Sequence, residues 1–243
     1  MTKPDYTALD LRSAPPDRPY VLTNMVMSLD GKAAVEGTEQ GLGSKVDQRL
    51  MRELRLNADI VLSGAGTLRA TGTSSRLGDP ILEQVRISRG KPRFPIAAVI
   101  SESGDLPLDK VFFTARDFDA VVYLSKGAHA QRRAALAATG RPVYPLPLRN
   151  PVAAMLKHMR HGLGAEVLLV EGGPSLNAEL FRLGVVDEYF VTIGPVVVGG
   201  RETLTPVEGE TAFKRKVLPR FDLVWAVPNA DTGEIYCRYR AKR

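Results

Sequence analysis

Along the 243-residue chain the spacing of apolar residues alternates between two periods, and each change marks a boundary between elements. Residues 20–27 (YVLTNMVM) are an apolar run of strand type, closed by the sequence SLDG, in which Asp30-Gly31 is a turn signal. Over residues 45–58, Val46, Leu50 and Leu54 recur at i, i+4 and i+8 and lay one stripe on a helix, with Ser44 placed to cap it. Residues 59–67 (DIVLSGAGT) then read as a buried strand running into a glycine loop. Strand, helix and strand in succession form a βαβ unit, the signature of a layered α/β fold.

The pattern then lapses. Residues 70–94 are polar and rich in Gly, Ser, Arg and Pro, too long for an ordinary connection, and are expected to form a lid or mobile loop. Further strands are predicted at 95–100, 119–124, 141–146 and 166–170, and helices at 128–138, 151–160 and 174–183. The last quarter changes character: DEYFVTI, FDLVWAV and EIYCRYR are strand-like with no helix between them, and Thr232-Gly233 sits where a hairpin would turn. A mostly parallel sheet with antiparallel C-terminal strands and helices on both faces fits this order. Residues 1–18, with Pro4, Pro15 and Pro16 and little periodicity, are expected to be an N-terminal arm or disordered lead-in. No repeat or linker divides the rest, so one domain is expected over 19–243.

Composition narrows the classes. With 44% apolar and 25% charged residues the chain is of ordinary globular type rather than disordered. No apolar run approaches the roughly 20 residues that span a bilayer, and the first residues lack the layout of a secretory signal, so a cytoplasmic protein with no membrane partner is expected. Cys237 is the single cysteine, which excludes an internal disulfide and a thiolate metal cluster. His158 and His161, three apart beside Arg160, are expected on a solvated helix face rather than on a metal; no metal is expected. The net charge of +6 favours anionic partners. Its basic residues are scattered apart from a short tail, and no nucleic-acid-binding motif occurs, so small phosphorylated molecules are the more economical account.

Two junctions carry the candidate chemistry. In VLLVEGGPSL a strand ends in Glu171, Gly172 and Gly173, and Pro174 opens a helix at the position that tolerates proline. Glycines let backbone approach a ligand, and the N–H groups of a helix start favour phosphate. A tight strand–helix turn with no ligand is the alternative. At Ser63-Gly64-Ala65-Gly66-Thr67 the layout repeats, and Thr67 offers a hydroxyl to a phosphate. This is neither the three-glycine dinucleotide fingerprint nor a P-loop. Two such junctions at strand ends still move the reading toward a nucleotide site. Glu171 at one of them is a candidate to bind substrate or donate a proton, with a salt bridge to an arginine as the alternative.

The segments YVLTNMVMSLDGK, LRLNADIVLSGAGT and VLLVEGGPSLNAELFRLGVVDEYFVTIGPVVVGG resemble the pyrimidine reductase domain of bacterial riboflavin biosynthesis, the 5-amino-6-(5-phosphoribosylamino)uracil reductase family. The likeness runs from about residue 19 onward, and the third segment is its most specific part. It implies a dihydrofolate reductase-like α/β fold, NADPH as cofactor, and hydride transfer to the C=N bond at ribose C1 of a phosphoribosylamino-pyrimidine. For the cofactor it implies Gly172, Gly173, Pro174, Ser175, Leu176 and Asn177 at the pyrophosphate. Gly64, Thr67 and Thr71 are implied near it, Ser101 beside the adenosine 2′-phosphate, and Met27 and Gly41 on the nicotinamide side. For the substrate it implies Arg55 and Ser28, with Arg76 as a further phosphate ligand. Glu171 matches a substrate-contacting acid, and Asn24 stands as its catalytic companion, hydrogen-bonded to the reacting ring.

Three features depart from the family. Asn24 occupies the position of a family lysine, and the loop after Thr67 carries Thr71 and Gly72 in place of Asp-Asp-Pro or Asp-Asn-Pro. The zinc signatures of the deaminase that is usually fused upstream do not occur, so a stand-alone form is expected. These departures keep two alternatives open: an NADPH-dependent dihydrofolate or pterin reductase, and a nucleotide-binding protein without chemistry. Family members commonly dimerise, and a homodimer is expected.

Overall fold

The computed structural model describes residues 3–242. The first elements are β1 (Tyr20–Met27), α1 (Lys45–Asn57), β2 (Ile60–Gly64), α2 (Ala65–Thr71) and α3 (Pro80–Ser88). Next come β3 (Ile96–Ser101), α4 (Val111–Thr114), β4 (Ala120–Ser125), α5 (Ala130–Ala138), β5 (Val143–Leu146) and α6 (Pro151–His161). The chain closes with β6 (Val167–Val170), α7 (Pro174–Arg182), β7 (Glu188–Ile193), a 3₁₀ turn at Arg215–Val217, β8 (Phe221–Pro228) and β9 (Ile235–Ala241). The described residues form two compact units, the first from 3–9, 21–54 and 170–242, the second from 10–20 and 55–169.

In the second unit the strands lie in the order β5-β4-β3-β2-β6. β2, β3, β4 and β5 pair in parallel, from Ile60 opposite Ile96 to Ser125 opposite Leu146. Every residue of β2 is buried, as expected of a parallel strand covered on both faces. Leu56, Leu68, Leu82, Phe112, Val122 and Leu136 belong to one apolar cluster there.

In the first unit β1 pairs in parallel with β7, β7 antiparallel with β9, and β9 antiparallel with β8. The predicted hairpin forms: Gly233 has φ +74° and its N–H donates to the Asn229 carbonyl (2.8 Å). Glu188, wholly buried on β7, is held by Arg238 (2.7 Å) and Arg240 (2.9 Å) from β9, so the charge is paired as burial demands. Among residues 1–18, Tyr6 is 2% exposed and packs its ring on Phe190 and Trp225 at 5.1 and 5.6 Å.

The α/β class, with parallel strands first and antiparallel strands last, is the one expected, and the predicted strands and helices form within one or two residues of their expected bounds. Three expectations need correction. SGAGT is not a loop: β2 ends at Gly64, and α2 starts at once with Gly64 as its N-cap. Residues 70–94 are not one long loop, because α3 lies inside them. Asp79 caps it by accepting the N–H groups of Ile81 (2.8 Å) and Leu82 (3.4 Å), and Pro80 occupies the first helical position. Arg86 on α3 is 1% exposed and donates to the carbonyls of Arg55 (3.1 Å), Leu56 (3.0 Å), Ala58 (2.6 Å) and Pro92 (2.6 Å). It thereby satisfies the orphan carbonyls at the end of α1. His158 also differs from expectation, since its ring stacks on Tyr144 at 3.7 Å and its Nδ1 meets the Tyr123 hydroxyl at 3.0 Å rather than facing solvent.

Candidate functional site

Parallel pairing brings the carboxyl ends of β2, β3 and β4 to one edge of the second unit, where ligands of open α/β sheets bind. An open pocket of about 500 Å³ lies there, walled by Ala65 and Arg69 of α2, Ser101 at the end of β3, Ser125 at the end of β4, and Gly127, Ala128 and His129 before α5. Glu102, Ser103 and Leu148 complete it. The Ser101 Oγ accepts the Gly104 N–H (3.0 Å) and the Ser125 Oγ accepts the Gly127 N–H (3.1 Å), which fixes both hydroxyl oxygens and leaves their protons to donate. A cationic guanidinium, three serine hydroxyls and an imidazole suit a phosphorylated sugar. Glu102 is the one opposing charge.

The other expected residues of this unit lie on the neighbouring segments. Thr67 is in the first turn of α2, and its carbonyl accepts the Thr71 hydroxyl (3.0 Å). Arg55, in the last turn of α1, donates Nη1 to the Arg76 carbonyl (2.6 Å), so it pins the segment carrying the other expected arginine. Arg76 itself makes a two-bond contact with Asp117, Nε and Nη2 each at 2.7 Å, with its guanidinium over Phe118 at 5.4 Å. An incoming phosphate at Arg76 therefore competes with a carboxylate.

In the first unit, half-buried Glu171 directly follows β6. Gly172 has φ +93°, a conformation that L side chains rarely adopt, and the Gly172–Gly173 peptide is cis. Gly173 is the N-cap of α7 without a side-chain cap bond, and Pro174 is its first residue. The nine residues of α7 thus begin with N–H groups that no capping side chain occupies. Ser175 is exposed, whereas Leu176 and Asn177 turn inward at 8% and 0% exposure. Asn177 donates Nδ2 to the Pro206 carbonyl (2.9 Å), so its amide holds the chain at 206 in place; its buried Oδ1 has no protein partner.

Asn24 sits half-buried on β1 opposite Phe190. Met27 ends the strand, and its carbonyl accepts the Gly194 N–H (2.8 Å). Gly194 has no room for more: a Cβ there would lie 2.0 Å from the Leu42 carbonyl oxygen. Gly41, just before, is exposed with φ +89°. Ser28 is wholly buried and engaged on both sides, donating to Asp30 (2.5 Å) and accepting the Lys32 N–H (2.9 Å). The Ser28 hydroxyl, with the N–H groups of Val198 and Gly199, holds the Asp30 carboxyl down to about 2. Ser28 therefore shapes the turn through its hydroxyl.

Sequence reasoning missed Asp47. Burial pushes its carboxyl up to about 6 against a bond from Thr192, with the nearby Glu234 charge adding to the rise. Glu234 in turn accepts the Ser44 N–H (2.6 Å) and hydroxyl (2.7 Å), and Ser44 caps α1 as expected, its Oγ accepting the Val46 N–H (3.0 Å). The signal was present, because Asp47 stands at i−3 from Leu50 on the apolar stripe, a position where an acid is out of place.

Residues 19–227 match the RibD C-terminal domain. The chain belongs to the RibD C-terminal domain family. The match runs through residues of both units. Within the family's relatives, the 2,5-diamino-6-ribosylamino-4(3H)-pyrimidinone 5′-phosphate reductase of Methanothermobacter thermautotrophicus is 32% identical over 195 residues, 79% of this chain and 85% of that protein. The protein of the same name from Archaeoglobus fulgidus is 30% identical over 204 residues, 82% of this chain and 90% of its own. Among solved structures, a pyrimidine reductase-like protein from Corynebacterium diphtheriae shares the fold with a TM-score of 0.83 at 23% identity, over 93% of each chain.

Proposed function

We propose that this chain is an NADPH-dependent reductase of a ribosylamino-pyrimidine phosphate of the riboflavin pathway. The observation that carries this reading is the identity of 28–32% to three reductases of that name, over 79–83% of this chain and 85–90% of theirs. The second unit's pocket supports the cofactor, since its volume of about 500 Å³ with Arg69, Ser101, Ser103 and Ser125 in the walls suits the phosphorylated ribose of NADPH. Gly172, Gly173 and Pro174 would let a phosphate approach the start of α7, where the first N–H group of the helix belongs to Ser175. Gly64, Thr67 and Thr71 are proposed as further cofactor neighbours, with Met27 and Gly41 on the nicotinamide side. Leu176 and Asn177 act in this reading from beneath, by fixing the helix start.

NADPH, when bound, supplies the hydride. The protein's part is orientation, exclusion of water and management of one proton. A hydride delivered to ribose C1 of the C=N form would leave the nitrogen to take up one proton, which is the proton the protein has to manage. Glu171 orients the ring or passes that proton, directly or through water, and Asn24 hydrogen-bonds the ring. Arg55 faces the substrate phosphate in this reading. Replacing Glu171 by Gln should lower turnover by about 100-fold or more while the NADPH dissociation constant stays within a few-fold. Turnover equal to the parent would remove Glu171 from the reaction.

The decisive experiment is a fluorescence titration with NADPH and NADH followed by NADPH oxidation on 2,5-diamino-6-ribosylamino-4(3H)-pyrimidinone 5′-phosphate and on dihydrofolate. Turnover on the first substrate supports the reading. Turnover confined to dihydrofolate, or NADPH binding with turnover on neither, overturns it. We further propose a homodimer through β8, the end strand of its sheet, which leaves Leu223 54% and Val224 38% exposed. Light scattering that gives a monomer mass at micromolar concentration would refute the dimer.

A further inference from the structure

In the first unit one stretch without helix or strand, residues 194–209, meets two of the expected site segments. Near its start it is sewn to the turn after β1. The Leu29 N–H donates to the Val196 carbonyl (2.8 Å), and the Val198 and Gly199 N–H groups to the two oxygens of Asp30 (3.1 and 2.7 Å). Further along, the Ala33 N–H donates to the Leu204 carbonyl (2.7 Å). At its far end it is sewn to the first turn of α7. The Glu208 N–H donates to the Pro174 carbonyl (3.1 Å), and Asn177 Nδ2 to the Pro206 carbonyl (2.9 Å). Between the two ends the Glu208 carboxylate accepts the Thr205 N–H (2.7 Å) and hydroxyl (2.9 Å), which makes the far end a closed turn.

Asp30 is the side chain that fixes the first end, and an ionised acceptor binds N–H groups more strongly than a neutral one. We propose that Asp30 is a positioning residue, which through the strap 194–209 couples the turn carrying Ser28 to the start of α7, so that nucleotide bound at α7 raises the affinity for substrate. This rests on the cofactor reading above. The physical basis is shared ordering. A ligand at α7's first N–H groups steadies the turn whose Pro174 carbonyl and Asn177 amide hold residues 206–208; the strap is then ordered once, and the second ligand need not order it again. By linkage the substrate must tighten NADPH by the same factor.

The test is amide hydrogen exchange on the full chain with and without NADPH, for the parent and for Asp30→Asn, which offers one carboxamide oxygen where two carboxylate oxygens were. In the parent, NADPH alone should slow exchange at 175–177 and also, by about tenfold, at Val198 and Gly199. In Asp30→Asn the effect at 175–177 should persist and the effect at 198–199 should vanish. The parent's NADPH affinity should rise about tenfold with the saturating pyrimidinone phosphate named above, and in the variant that factor should fall toward one while NADPH affinity measured alone stays within about twofold. Protection at 175–177 with none at 198–199 in the parent overturns the strap alone. Undiminished coupling in the variant does the same. No NADPH effect at 175–177 brings down the cofactor reading and the strap's role together.

Discussion

Asp47→Asn isolates one half-buried carboxyl and gives a stability change whose size depends on pH. Asp47 titrates at about 6 in the folded protein against 3.8 for the free side chain. Between those values the folded state holds the proton and the unfolded state releases it, so the free energy of unfolding falls as pH rises through the window, and above about 6 the loss is complete. At 1.36 kcal/mol per pKa unit the full loss is about 3 kcal/mol, of which about 1 kcal/mol is already present at pH 4.5. Asparagine keeps a partner for Thr192 and has no charge to bury beside Glu234. Urea denaturation of parent and variant at pH 4.5, 5.5, 6.5 and 7.5 therefore should show the variant's relative stability climbing by about 2 kcal/mol across the series. Taking the difference at each pH cancels the titration of all other groups. A flat difference, or one that falls with pH, would show that Asp47 is ionised and paired in the folded protein and that the burial argument is wrong.

Three other outcomes follow from named contacts. Arg86→Met should lower stability in urea by about 3 kcal/mol or more, because the carbonyls of Arg55, Leu56 and Ala58 at the end of α1 lose their donor inside the protein; a loss under 1 kcal/mol would mean that water reaches them. Gly194→Ala should abolish the cooperative melt followed by circular dichroism, since the new Cβ would stand 2.0 Å from a backbone oxygen that has no side-chain freedom to retreat; an unchanged melting temperature contradicts this. Arg69→Ala should raise the NADPH dissociation constant about tenfold and leave that of NADH within about twofold, as loss of a charge-assisted phosphate bond requires. Equal weakening of both would place Arg69 away from the extra phosphate.

Much of the fold was legible because its causes are local. The run YVLTNMVM becomes β1 over the same residues, the Val46-Leu50-Leu54 stripe becomes α1, and Ser44 caps it, since periodicity and capping act within a few residues. Even α3 was readable from Asp79-Pro80 followed by Ile81, Leu82 and Val85, a cap and an apolar stripe that the surrounding polar residues obscured. The glycine junctions were visible too, one as the turn at Gly172 with its positive φ and the other as the start of α2.

What the sequence by itself determined, then, is the succession of strands and helices, the strand-end glycines and the family likeness carried by them. Only the tertiary structure decided which polar groups are buried and who answers them. Glu234 reaches Ser44 across 190 positions, Asp30 reaches Gly199 across 169, and Asp187 takes the Val21 N–H across 166. Arg76 was legible as a cation but not as the partner of Asp117, nor Asn177 as the clasp on Pro206. No local pattern encodes such pairs, because desolvation obliges each buried donor or acceptor to find a partner wherever the folded chain brings one near.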